Sequence, residues 1–168
     1  MSINRQGYTL IELTVVMVLI GLTVAMVTPR FRDAVLTDNL RNNTNKLIGM
    51  IKTLRNDAIR EQKVYIIHFD MESNRVWFDS PSMSDEERAR AAEKASTLPE
   101  DVRIMDIWSS GAGKKMAGEA VIIINKKGYI QQSVVHLGSD DDREYTLLIS
   151  PFLRKVKVFE KYVDIEDG

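Results

Sequence analysis

The residue whose chemistry most needs explaining is Glu12, the one acid in the run GYTLIELTVVMVLIGLTVAMVTP from Gly7 to Pro29. An ionised carboxylate near the centre of a membrane-spanning helix costs roughly 2.5–3.5 kcal/mol on insertion scales, so such a residue is paired, placed near an edge, or functional. A helix start carries about half a positive charge, and Glu12 lies four residues after Tyr8 on the same helical face, so its own helix start is one partner within reach. Other candidate chemistry is weaker. GAGKKM at Gly111–Met116 fails as a phosphate loop, which needs a glycine five places before the second one and Ser or Thr after the lysine; the chain has Trp108 and Lys115 there. Asp140, Asp141, Asp142 and Glu144 lack the fixed alternation of a calcium loop. His68 and His136 stand far apart in apolar segments with no cysteine beside them, and read as strand residues, not as metal ligands or a dyad. The expectation is a chain with no catalytic residue, no metal and no cofactor.

Glu12 must be positioned by the segment around it. Tyr8 to Val27 is about twenty residues, and at ~1.5 Å per residue that matches the roughly 30 Å hydrocarbon core of a bilayer. Its Val, Ile and Thr content favours strand in water, but no Gly/Pro break divides the run, and lipid requires a span to satisfy its own backbone, so helix is expected. A cleavable secretory peptide has a shorter apolar region followed by a small-x-small site, which Val27-Thr28-Pro29 does not supply. Before the run stands the polar leader MSINRQG with Arg5. Arg30 and Arg32 follow it, so cation counting slightly favours the leader outside.

Gly7 followed by YTLIEL resembles the processing site of the type IV pilin and type II secretion pseudopilin superfamily. The resemblance implies that a prepilin peptidase cuts after Gly7 on the cytoplasmic face and methylates the new amine of Tyr8, where the family more often has Phe. A residue without Cβ suits close approach by a protease. It also implies the sharper role for Glu12, pairing with the Tyr8 amine of a neighbouring subunit in a filament. A pair in lipid is far cheaper than a lone charge, and the uncut chain lacks half of that pair.

Past the leader and span, about 140 residues suffice for one domain. A formal net charge of −1 gives no basic field for nucleic acid, and the absence of cysteine removes thiol chemistry. Leu40, Thr44, Leu47, Ile51, Leu54 and Ala58 step by four and three, laying an apolar seam along a helix expected from about Phe31 to Glu61, with Pro29 kinking or interrupting the rod. Strands are expected at Val64–Phe69 and Val76–Phe78 around a turn at Ser73-Asn74, then at Val102–Trp108, Ala120–Asn125, Tyr129–His136, Tyr145–Ile149 and Lys155–Tyr162. Asn125–Gly128 reads as a tight turn between strands. Ser84 with Glu87 is a capping box opening a surface helix from Asp85 to Ala95, inside an insertion at Ser80–Thr97. Ser109–Glu119 reads as a loop, and Trp77 and Trp108 as core residues.

LRNDAIREQKVYIIHFD (Leu54–Asp70) and IINKKGYIQQSVVHL (Ile123–Leu137) in this order resemble the H-type minor pseudopilins (GspH) and the FimT-like minor pilins. The resemblance implies an α+β pilin-like fold: a cleaved leader over 1–7, a transmembrane helix over 8–28, and a periplasmic domain over 29–168 with antiparallel sheets on the helix. It implies a single-pass inner-membrane protein whose partners are other pseudopilin subunits, the prepilin peptidase, the inner-membrane secretion platform and membrane lipid. The alternatives are a minor type IV pilin that primes pilus assembly and, from another class, a periplasmic binding domain on a plain anchor, for which Glu12 is dispensable.

Overall fold

The computed structural model describes residues 10–36, 38–152 and 155–164, with the backbone alone over 24–36. The chain divides into two units, 1–38 and 39–168. The first holds helix α1 (Leu10–Leu36), which continues past Pro29. Of the two outcomes expected at Pro29, a kink or an interruption, the interruption is therefore corrected, as is the expected helix start at Phe31, which lies inside α1. The chain leaves helix before Asp38, and α2 spans Asn39–Glu61. A proline inside a helix costs about 3 kcal/mol, which does not by itself stop one. Asp38 and Asn39, by contrast, are types favoured where helices begin, because their side-chain oxygens compete for backbone N–H groups. Asn39 anchors the start of α2 by donating to both carboxylate oxygens of Asp101 at 2.9 Å.

The six seam residues read from the sequence are the buried residues of α2. The helix ends at Gln62, whose φ of 53° turns the chain and whose side-chain amide donates to the Ile59 carbonyl at 2.8 Å. Two antiparallel sheets follow. Sheet A has the order β3 (Ser96–Thr97), β2 (Arg75–Asp79), β1 (Tyr65–Asp70), β6 (Glu119–Ile124). Sheet B has the order β5 (Gly113–Lys115), β4 (Val102–Ser109), β7 (Ser133–Ser139), β8 (Glu144–Ile149), β9 (Lys157–Phe159). In β1 the alternation is strict: Tyr65, Ile67 and Phe69 join a core with Leu40, Ile51 and Leu54 of α2 and Ile122 and Ile124 of β6. Each such side chain stabilises the fold by roughly 1.5–3 kcal/mol on full burial.

The two sheets are tied at the β1–β2 turn. Asn74, at φ 54°, donates from Nδ2 to the Val102 carbonyl at 2.5 Å and accepts the Ile104 amide at 3.1 Å, so one turn residue of sheet A holds the start of β4 in sheet B. The turn after β6 docks on α2: Gly128, at φ 75°, accepts Arg55 Nε at 3.0 Å.

Most expected strands are present, with corrected ends. The Tyr129–His136 segment becomes strand only at Ser133, and the Lys155–Tyr162 segment is strand only over β9. Ser109–Glu119 is not simply a loop, because β5 within it pairs with β4 through Ile107 opposite Lys115. The capping box forms as read: Ser84 accepts the Glu87 amide at 3.3 Å, the Glu87 carboxylate accepts the Ser84 amide at 2.8 Å, and α3 (Asp85–Glu93) follows. No residue of α3 is buried; it lies along β2.

Candidate assembly segment

The first unit carries the residues singled out for assembly. Gly7 and Tyr8 lie outside the described residues. Glu12 sits in the first turn of α1 and is exposed, and every described side chain from Leu10 to Thr23 is exposed with it. Large apolar groups such as Leu10 (85% exposed), Ile11 (72%) and Leu13 (58%) occupy successive directions around the axis. A helix that is apolar all round is one that buries itself in lipid or among other helices, not one that lays a single stripe on its own domain. Two of its hydroxyls are already satisfied: Thr14 donates to the Leu10 carbonyl at 2.8 Å and Thr23 to the Leu19 carbonyl at 2.7 Å. That back-bonding lets a hydroxyl sit in an apolar medium without an unmet donor. Among the described residues no helix is long and apolar enough to cross a membrane. The expected span over 8–28 starts outside those residues.

The second unit places the two histidines differently from their plain appearance in the sequence. Each lies in a strand, as read, but each meets at least one acid and stacks on an aromatic ring. His68 Nδ1 is 2.5 Å from Glu119 Oε1, and its ring stacks on Trp77 at 5.0 Å between centroids, 4° from parallel. Asp79 Oδ1 is 3.2 Å from Nε2, near enough for charge attraction yet off line for a hydrogen bond. Trp77 is thus half-buried over His68 and lies outside the core cluster, as does Trp108, which corrects the core assignment of both.

His136 is 2% exposed, with Nδ1 at 2.7 Å from Asp106 Oδ1 and Nε2 at 3.0 Å from the Val163 carbonyl. Tyr162 stacks on its ring at 3.9 Å and donates to Asp106 Oδ2 at 3.0 Å, while Lys114 Nζ donates to the Tyr162 hydroxyl at 2.6 Å. The Lys114 ammonium is held above its ordinary range chiefly by that hydrogen bond, and burial pushes the Tyr162 phenol up. This network was not legible from the sequence, because its members come from β4, β5, β7 and the segment after β9. Among the described residues no three His, Asp or Glu side chains are placed to hold a metal ion. Asp141 of the acidic run is engaged with Ser139 and Arg143, whose hydrogen bonds hold its carboxyl below the usual range, the Ser139 hydroxyl most of all.

Comparison with known proteins agrees with this division. A family model described as the prokaryotic N-terminal methylation motif matches residues 3–28, a stretch that includes Gly7, Tyr8 and Glu12. No curated protein sequence matches the chain. Two solved structures of the minor pseudopilin EpsH from the type II secretion system of Vibrio cholerae are similar in fold. One is 11% identical, covering 73% of this chain and 98% of that one at a TM-score of 0.51. The other is 9% identical, covering 77% and 99% at a TM-score of 0.55. The chain therefore carries a prokaryotic N-terminal methylation motif over residues 3–28, and its helix and antiparallel sheets have a fold similar to that of a minor pseudopilin.

Proposed function

We propose that this chain is a minor pseudopilin, a structural subunit of the periplasmic pseudopilus of a type II secretion system, where it aids export of folded proteins across the outer membrane. The observation that carries this reading is the all-round exposure of apolar side chains from Leu10 to Leu22 in α1 with one acid, Glu12, in its first turn. Such a helix is stable only inside lipid or packed among similar helices, and a filament of pilin-like subunits offers both in succession.

In this reading the prepilin peptidase cuts after Gly7 and methylates Tyr8, and residues 8–28 hold the processed chain in the inner membrane with 29–168 in the periplasm. On entry into the filament Glu12 meets the Tyr8 amine of a neighbour. The partners are other pseudopilins, the peptidase, the inner-membrane secretion platform and lipid. The work is packing, not catalysis. The test is Glu12→Ala at equal membrane abundance, scored for incorporation into filaments and for secreted substrate in the medium. Loss of both is expected. Unchanged incorporation refutes the pairing role, and loss of surface pili with secretion intact refutes the pseudopilus assignment.

A further inference from the structure

We infer that the His136–Asp106 pair on the outer face of sheet B is a proton-held latch: while the pair keeps its proton it clasps residues 161–164 most tightly, and loss of that proton loosens them. The geometry begins with a register shift in β4 between Ile104, opposite Leu137, and Asp106, opposite His136. Met105 is the extra residue. Without it Asp106 would share a face with core residues Ile104 and Leu137; the bulge turns its carboxylate to the other side. Asp106, His136 and Thr146 then form one row across β4, β7 and β8, each 3% exposed or less.

The segment after β9 is fastened to that row at several points. The Thr146 hydroxyl donates to the Lys161 carbonyl at 2.7 Å and accepts the Val163 amide at 2.9 Å. Tyr162 covers the His136 ring, and the Val163 carbonyl faces Nε2. Both ring nitrogens thus face acceptors, one a carboxylate and one a carbonyl. A neutral ring has a single N–H to offer. With the pair deprotonated, either the Nδ1 lone pair confronts the Asp106 carboxylate at 2.7 Å or the Nε2 lone pair confronts the Val163 carbonyl, a cost that burial of the pair makes larger.

The titratable groups placed around the pair are Lys114 from β5, and Tyr162 and Asp164 from the clasped segment; β8 contributes the Thr146 hydroxyl. Lys114 Nζ lies 4.0 Å from Asp106 and 3.8 Å from Asp164. Lys114 stays charged and Tyr162 neutral across the physiological range, both being shifted upward, so neither alters the charge around the pair. The sign follows: the latch is tightest at lower pH and loosens as pH rises.

The experiment is amide exchange at Val163 in the full chain in detergent micelles, corrected for intrinsic rate, from about pH 5.5 to about pH 8.5. Protection is expected to hold where the open and closed forms are both protonated, to fall by up to about tenfold per pH unit where only the closed form keeps the proton, and to level off above that interval. Asp106→Asn should abolish the pH dependence: its amide can donate to Nδ1 of a neutral ring while its oxygen still accepts from Tyr162. Should that variant fold poorly, the imidazole nitrogen shifts of His136 in the parent must change at the upper end of the interval, where Val163 protection levels off. Constant Val163 protection, an Asp106→Asn variant that loses protection in step with the parent, or nitrogen shifts that move elsewhere would overturn the latch.

Discussion

Gly128 is where the packing of the second unit is least forgiving. Its φ is 75°, and a Cβ built there would stand 2.7 Å from Cδ1 and 2.8 Å from Cγ1 of Ile59, and 3.2 Å from the Arg55 carbonyl oxygen. Gly128→Ala therefore meets two separable costs. A left-handed conformation costs an L-residue roughly 1–2 kcal/mol. The overlap with Ile59 is relieved by rotation, since that side chain is 51% exposed, at about 0.5–1.5 kcal/mol for an off-rotamer placement. The Arg55 oxygen belongs to the backbone of α2 and gives way less easily. The sum is a loss of roughly 1.5–3.5 kcal/mol, or a melting point lower by some 2–4 °C per kcal/mol for a domain of this size. Urea unfolding of the two proteins, followed by circular dichroism, measures it. Adding Ile59→Ala should return about 0.5–1 kcal/mol, because it removes the overlap and leaves the backbone cost. A Gly128→Ala protein within about 0.5 kcal/mol of its parent refutes this account of how the β6 turn seats on α2.

Asn74→Ala strips the Val102 carbonyl and the Ile104 amide of their side-chain partners, and about 2–4 kcal/mol of stability should go with them in a chemical melt, with Asn74→Asp intermediate because it keeps the acceptor. Ser84→Ala should cost α3 about 0.5–2 kcal/mol, visible as faster amide exchange at Glu87 and Arg88; since α3 buries nothing, the unfolding midpoint of the domain should stay put. The Asp70 carboxyl is held below the ordinary range, first by the Ser73 hydroxyl and then by backbone amides. A lowered folded pKa contributes stability above the unfolded value and loses it as pH falls through the folded one. Asp70→Asn should therefore flatten the acid limb of the stability profile below about pH 4, and an unchanged limb shows that Ser73 does not stabilise the ionised form.

Where the sequence carried a period or a local rule, the fold could be read from it. The α2 seam is a 3.6-residue pattern, β1 a two-residue one, and the Ser84/Glu87 box a matter of spacing; all three stand in the structure as read. Reading failed where the deciding partner is remote. Whether the chain breaks at Pro29 or at Asp38 depends on how a helix absorbs a lost hydrogen bond, which spacing does not encode. Strand β7 is buried on both faces because the segment carrying Tyr162 and Val163 lies over it, so its residues show no alternation from which to place its start. Strand β5, made of Gly113, Lys114 and Lys115, has none of the residue types that favour strands, and forms by pairing with β4. The Asp106 network needed the Met105 bulge, which no local pattern announces. In the N-terminal segment Glu12 stands out in the sequence because lipid punishes a lone charge so heavily, and the matched methylation motif over residues 3–28 includes it.

The central claim is that the N-terminal segment is trimmed and methylated so that Glu12 can find a counter-ion on an adjacent copy. Intact mass of the chain extracted from membranes of cells with an active prepilin peptidase tests it most directly. The account predicts a polypeptide that begins at Tyr8 and carries one added methyl group. A chain that still retains MSINRQG contradicts it.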